Sequence, residues 1–371
     1  MKDSILRFRT LAIILASVLL LANDCYAQKI ARIDEIYISG IQTDLNASHG
    51  LFLNPQGSRF AYIIKGSLLL IHNVSSDSTI LAYNLPIVSK FHAIDFFDEN
   101  TFVFWADNVF YLMDSTGNFT KVYQSEFGKD LIFLPYGGLK YYHNLGLIVA
   151  AAVEKNNKVL DGKKILESRF LCSLSLKTKK HHFFGPQYPK MYHGGNLGTP
   201  RFFISRDSTF LVLSLEYDKY IYVIDMGNCS LFARQKVSTK KQLTTKFENS
   251  ISSSKKDKKD IYNANALYSA RMGMAFWDVR RSEFFFVYYP EMAIKDNDRY
   301  YNLKDKEIRI VRMGSSKKAF ADVTLNAGVF FVPYKWHFNH STSTMSYIKM
   351  YKSNLNDELW SFKVIDIRIL N

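Results

Sequence analysis

The chain is poor in cysteine, in proline and in acid. Three cysteines in 371 residues, Cys25, Cys172 and Cys229, are too few for the disulfide framework that holds small secreted folds together. Eight prolines argue against long disordered linkers. Asp and Glu number 34 against 48 Lys and Arg, which leaves a formal charge of +14 and a pI of about 9.4. Such a surface attracts nucleic acid, anionic glycan or anionic lipid. No nucleic-acid motif accompanies the charge, so nucleic acid is not expected as a partner. Sustained helical periodicity is missing, which argues against a helical-repeat fold. Also missing are HExxH, CxxC, a two-cysteine, two-histidine zinc set, the GxSxG elbow and the GxxxxGK[ST] loop. The nine histidines are scattered. No metal or other cofactor is expected, and no motif assigns a catalytic residue.

What the chain has is apolar and aromatic. Hydrophobic residues make up 47%, with 29 Phe and 23 Tyr, types that suit half-buried pleated surfaces. The N-terminus "MKDSILRFRTLAIILASVLLLANDCYAQ" has the parts of a secretory signal. Lys2, Arg7 and Arg9 precede an uncharged core, Leu11 to Ala22, too short for a comfortable membrane span. "CYA" then places small residues where a signal peptidase cuts, so residues 1–27 are expected to leave and Gln28 to become the new end. Export to the periplasm or cell surface follows. The alternative is a lipid anchor on Cys25, which Asn23 and Asp24 fit badly as lipobox residues. After cleavage, Cys172 and Cys229 are allowed one disulfide but do not require it. Two unpaired thiols are the simpler expectation.

The stretch "SRDSTFLVLSLEYDKYIYVID", Ser205 to Asp225, alternates polar turns with apolar runs, and the pattern recurs. Copies are "LNPQGSRFAYIIKGSLLLIHNV" and "FDENTFVFWADNVFYLMD". Others are "YHNLGLIVAAAVEK" with "ESRFLCSLSLKTKK", and "DVRRSEFFFVYYPE" with "DKEIRIVRMGSSKK". The last is "NHSTSTMSYIKMYKSNLNDELWSFKVIDIRI". A short apolar run before each copy, and in several copies another after it, bring the unit to about four strands. Four short antiparallel strands recurring every ~40–50 residues are the signature of a propeller blade. The prediction is an all-β, six-bladed β-propeller of four-stranded antiparallel blades, one domain over 28–371. Seven blades and a pair of β-sandwiches are the alternatives. The lone strand "KIARIDEIYISG" is expected to complete the last unit, which lacks a fourth strand, and so to close the ring. Insertions are expected at Lys155 to Leu166, Pro290 to Lys306 and, as a flexible basic loop, Ser238 to Asn263. "EYDK", Glu216 to Lys219, reads as a charged hairpin tip. The repeated "DST" triplets at Asp77, Asp114 and Asp207 read as turn chemistry.

Propeller sites gather where the innermost strands and their incoming loops meet. That geometry singles out "PQYPKMYHGGNLGTPRFF", with Tyr188, Tyr192, His193 and Arg201. The equivalent approaches add His92 with Asp95, Tyr136 with Gly137 and Gly138, Arg271, and Trp336 with His337. Tyr, Trp, His and Arg suit stacking and hydrogen bonding to a sugar or peptide, and serve equally as rim packing.

The signal ending in "YAQ", followed by blades such as "SRDSTFLVLSLEYDKYIYVIDM", resembles the uncharacterised six-bladed, TolB-like propellers that some bacteria export, often as lipoproteins. The resemblance implies a fold and an envelope location, and carries over no catalytic residue. The expected function is therefore that of a non-enzymatic binding or scaffold protein of the cell envelope. Its expected partner is an envelope protein, peptide or glycan, with weak association of the basic loop with anionic surfaces. The alternative is a propeller hydrolase or lyase, which requires several of His92, His193, Arg271 and His337 to converge at one channel mouth.

Overall fold

The computed structural model describes residues 31–42, 52–54, 57–64, 68–76, 78–84, 91–98, 101–106, 109–114, 116–124, 131–133, 138–154, 169–189, 202–237, 270–290, 307–314, 319–326, 331–339, 344–352 and 359–369. The proposed signal and the loop at 238–263 lie outside them. The described elements are strands, apart from one 3-10 turn at His143–Leu145.

The strands follow the repeat. After β1 (Ala31–Gln42), the first sheet runs β2 (Phe52–Leu53), β3 (Arg59–Ile64), β4 (Leu68–Asn73) and β5 (Ser78–Asn84). The second has β6 (Phe91–Phe96), β7 (Phe102–Ala106), β8 (Val109–Met113) and β9 (Phe119–Gln124). In the third, β10 (Leu131–Phe133) and β11 (Leu139–Tyr142) both pair with β12 (Leu147–Glu154). They take successive parts of β12 on the same edge, and β13 (Arg169–Ser175) and β14 (His181–Gln187) follow. The fourth sheet is β15 (Phe202–Asp207), β16 (Phe210–Leu215), β17 (Tyr220–Asp225) and β18 (Ser230–Lys236). The fifth is β19 (Arg271–Asp278), β20 (Glu283–Tyr289), β21 (Glu307–Gly314) and β22 (Ala319–Asn326). The last holds β23 (Phe331–Asn339), β24 (Thr344–Lys352) and β25 (Leu359–Ile369), and takes β1 as its fourth strand. β1 pairs antiparallel with β25 from Ala31↔Ile369 to Gln42↔Leu359, as the unpaired last unit predicts.

Period-2 alternation explains why these sheets stack. On β16, Leu211, Leu213 and Leu215 pack with Val149, Ala151 and Phe170 of the third sheet. Val212, between them, packs with Met272, Trp277 and Phe286 of the fifth. Both faces of the strand are dry, so the run is almost continuously apolar. The same layering joins the first sheet to the second through Leu69, Ile71, Phe102 and Phe104, and the second to the third through Val103, Phe110, Ile148 and Ala150. Each buried Leu or Phe contributes about 1.5–3 kcal/mol relative to exposure. First strands meet from sheet to sheet: β2 touches β6, β6 touches β11, β11 touches β15, β15 touches β19, β19 touches β23, and β23 touches β2. The architecture is all-β, antiparallel and propeller-like.

A four-stranded meander has two unlike ends. At the turn end lie the links between first and second and between third and fourth strands. In the third to fifth sheets these include 143–146, 176–180, 208–209, 226–229 and 279–282, all short. At the entry end lie the links between second and third strands and from sheet to sheet. The chain's long connections leave from that end: 155–168, 188–201, 237–270 and 290–306. The three insertions read from the sequence fall within these connections.

Candidate functional site at the entry end of the fourth and fifth sheets

The β16–β17 turn carries the best-defined polar group at the entry end. The sequence reads Glu216 to Lys219 as a charged hairpin tip, and the residues do join β16 to β17, but most of the tip is buried. Glu216, Tyr217 and Asp218 are all buried, at 4–5% exposure, and Lys219 alone projects. The physical reason is the neighbouring sheet. The β19 backbone comes alongside, where the Met272 amide donates to the Glu216 carbonyl at 2.7 Å. Arg271, the first residue of β19, then pairs its Nη1 with Glu216 Oε1 at 2.8 Å. Its guanidinium lies 5.0 Å from the centre of the Tyr289 ring. A buried carboxylate is tolerated only with such a partner.

Asp218 answers its burial differently. Tyr222 Oη donates to Asp218 Oδ2 at 2.5 Å. Desolvation raises the Asp218 pKa above the usual aspartate value, and the Tyr222 bond works against that rise. Tyr222 is itself pushed up, by burial first and then by Asp218. Arg234 of β18 lies 3.6 Å over the Tyr220 ring and 5.6 Å from that of Tyr222. Nearby Tyr188, where the chain leaves β14, stacks on Phe170 at 4.3 Å, and burial raises its pKa as well. The arrangement is a rigid set of tyrosine rings with two arginines and two carboxylates. Its carboxylates and most of its rings are buried; Arg271, Tyr220 and Arg234 are the members that reach the surface and can offer a cation or a ring edge to a ligand.

Of the residues read from the sequence, Arg271 stands in this group, and Tyr188 is at its border. His92 is the second residue of β6, near the same end of its own sheet. Trp336 and His337 do not join Arg271. They pair with Tyr347 and Ser346, close to the turn end of β23. The neighbouring Phe338 stacks on Phe276, five residues along β19 from Arg271. That separates the two levels by roughly 13–16 Å of strand. A Cβ on Gly57, in the β2–β3 turn, would lie 3.8 Å from His337 Cδ2, which fixes the same level. Tyr136, Tyr192, His193 and Arg201 lie outside the described residues. Among the described residues no three His, Cys, Asp or Glu side chains gather as a metal ion would require.

Asp95 also moves from its expected place. It lies at the turn end of β6, 7% exposed, where it accepts from the Tyr141 amide at 2.8 Å, Arg206 Nη1 at 2.8 Å and Lys140 Nζ at 3.0 Å. Arg206 Nη2 donates to the Phe96 carbonyl at 2.6 Å, and Nη1 also reaches the Tyr141 carbonyl. This network ties the second, third and fourth sheets together. Asp207, read as a turn residue, does the same one step on: its Oδ2 accepts from the Val279 amide at 2.9 Å. Asp114 behaves as read, accepting from the Thr116 and Asn118 amides of its own turn.

No family model matches the chain, and no curated protein matches it. Among solved structures it is similar to a member of the DUF4221 family from Bacteroides vulgatus, with a TM-score of 0.61 at 12% identity over 92% of this chain and 100% of that one. At that identity the likeness is one of fold. Weaker matches are hydrazine synthase from Kuenenia stuttgartiensis, with a TM-score of 0.45 at 9% identity over 85% of this chain and 80% of that one, and a luciferin-regenerating enzyme, also 0.45 at 9%, over 91% and 95%. Neither carries an argument here.

Proposed function

We propose that the chain is an exported, ring-closed, six-bladed propeller of the TolB-like kind that binds an envelope peptide or glycan at its entry end. Closure is supported by the cycle of first-strand contacts and by β1 completing the sheet of β23 to β25. Export rests on the N-terminal pattern of charge, apolar core and "CYA". The observation that carries the binding reading is the asymmetry of the two ends. Long connections leave from the entry end, where Glu216, Arg271, Tyr289, Asp218 and Tyr222 form a buried, preorganised polar and aromatic group. Recognition surfaces are built this way, as variable loops on a rigid scaffold. His337 lies toward the other level, so the hydrolase or lyase alternative would rest on His92, His193 and Arg271.

The test is a pull-down from envelope extract together with peptide and glycan arrays, run on the wild type and on Arg271→Ala. A partner that binds the wild type and is lost at least ~10-fold in Arg271→Ala supports the reading. A reproducible partner whose affinity is unchanged in Arg271→Ala, or none in either format, overturns it.

A further inference from the structure

The turn end has a different chemistry. The five turns at 143–146, 176–180, 208–209, 226–229 and 279–282 contain no Asp or Glu. They contain Lys177, Lys179, Lys180, Arg280 and Arg281, all exposed, and His143. Lys179 Nζ donates to the Val122 carbonyl at 2.6 Å, which pins the 176–180 turn against β9. The carboxylates that flank these turns are consumed. Asp207 and Asp278 are buried, at 7% and 2% exposure, and Asp207 holds the Val279 amide. Asp225 accepts from the Gly227 amide, and Glu283 takes both Nε and Nη2 of Arg312. Across these five turns the exposed charge is mainly positive, with Asp225 part-exposed beside them and Arg281 3.9 Å from Asp278.

Large apolar side chains project among these cations. The exposed large hydrophobics of the described residues are Leu145 at 37%, Leu231 at 55% and Phe232 at 58%. All three belong to this end: Leu145 to the 143–146 turn, Leu231 and Phe232 to the start of β18 just after the 226–229 turn. Phe232 is backed by Phe210 at 5.0 Å and Trp277 at 5.6 Å, so it is held outward on a firm base. The turns are stitched to one another. Tyr142 Oη donates to the Phe210 carbonyl at 3.0 Å, and the Leu176 amide to the Gly146 carbonyl at 2.8 Å. Exposed Phe and Leu at the same end as exposed Lys and Arg, in turns that contain no Asp or Glu, match the interface of an anionic bilayer. Aromatic and aliphatic groups enter the headgroup boundary while cations meet lipid phosphate.

We infer that the turn end of the third to fifth sheets docks on anionic membrane lipid, which would point the entry end away from the bilayer. This goes beyond the binding reading and does not depend on it. It is also distinct from the association expected of the basic loop at 238–263, whose flanking strands β18 and β19 meet it at the entry end.

The experiment is vesicle co-sedimentation with the protein as recovered from expressing cells, its N-terminus defined by mass spectrometry. Phosphatidylcholine vesicles with about 30% phosphatidylglycerol are compared with phosphatidylcholine alone, and the readout is the difference between them. Neutral vesicles absorb any contribution from a retained N-terminal apolar segment. Variants are Lys177→Ala with Lys180→Ala, Leu231→Ser with Phe232→Ser, and a deletion of 238–263. The four substituted side chains are exposed, and thermal melts check that the fold is retained. The expected result is binding specific to anionic vesicles that weakens from about 0.05 to 0.3 M salt. The double lysine variant should lose roughly 25-fold, about fivefold for each cation. The Leu231/Phe232 variant should lose ~10-fold or more. Equal binding to neutral vesicles, loss on deleting 238–263 with the lysine variant unaffected, or indifference to the Leu231/Phe232 change would each overturn the inference. The last of these would mark a general polyanion surface, which heparin binding would reveal.

Discussion

Replacing Asp95 by alanine is the sharpest test of how the sheets are held together. Its carboxylate is 8% exposed and receives the Tyr141 amide, Arg206 and Lys140, whose side chains are 17% and 19% exposed. Truncation removes the acceptor of a buried backbone amide, at about 1–3 kcal/mol. It also leaves Arg206 without its carboxylate, although the Phe96 and Tyr141 carbonyls still receive the guanidinium. Loss of one partner from a buried ion pair costs about 3–5 kcal/mol, and we expect the total within that range. For a chain of this size that lowers the urea midpoint by roughly 1 M. Asp95→Asn keeps an acceptor for the Tyr141 amide and should lose about half as much. The full cycle with Arg206→Ala should give a coupling energy of about 1.5–3 kcal/mol. Arg206 belongs to the fourth sheet and Asp95 to the second, so the coupling measures a tie across three sheets. A coupling below about 0.5 kcal/mol would refute the network as a stabilising element.

Three further outcomes are expected. Gly273→Ala should destabilise by ~1–3 kcal/mol in urea melts, because its Cβ would lie 2.9 Å from Tyr289 Cε2 and 3.2 Å from Val287 Cβ; an unchanged midpoint would contradict the close approach of β19 to β20. Asp218 has a folded pKa raised by desolvation, so the native state binds its proton more tightly than the unfolded chain. Stability from this group is present below the unfolded aspartate pKa and declines as pH rises towards the folded value. Asp218→Asn should remove that decline, and wild-type and variant melts with parallel pH profiles would contradict it. Cys172 is buried and Cys229 half-buried, and neither is in a disulfide. Ser173 Oγ lies 3.7 Å from Cys229 Sγ, while alternation turns Cys172 to the other face of β13. Both thiols should alkylate in denaturant without reductant, Cys229 reacting first and slowly in the native state because burial lifts its pKa; a protected pair in denaturant would overturn the geometry.

The strand pattern was legible in the sequence because a sheet covered on both faces must be apolar throughout. "FLVLSL" became β16 and "YIYVID" became β17, and "KIARIDEIYISG" paired with β25 because the last unit lacked a fourth strand. Turn chemistry was legible where a carboxylate serves its own turn, as at Asp114. Both readings depend on residues close in sequence. The polar ties were not legible, since each joins partners far apart: Asp95 with Arg206, Asp207 with Val279, Glu216 with Arg271. A carboxylate in a turn looks the same in sequence whether it faces water or a neighbouring sheet.

One local clue did distinguish them. Asp114 is followed by Ser, Thr, Gly and Asn, which offer amides and hydroxyls within the same turn. Glu216 is followed by Tyr217, Asp218 and Lys219, which offer no such hydroxyl cluster and place a large aromatic at the tip. A tip with an aromatic residue between two acids has no local means of satisfying both carboxylates. Either both face water, leaving Tyr217 exposed, or the neighbouring element supplies cations and hydroxyls. The second solution fits Tyr217 at 5% exposure, with Arg271 serving Glu216 and Tyr222 serving Asp218. It also explains why the first residue of β19 is an arginine. The strand start must carry the charge that the preceding sheet has buried, and the position of Arg271 at the entry end follows from that requirement before any ligand is considered.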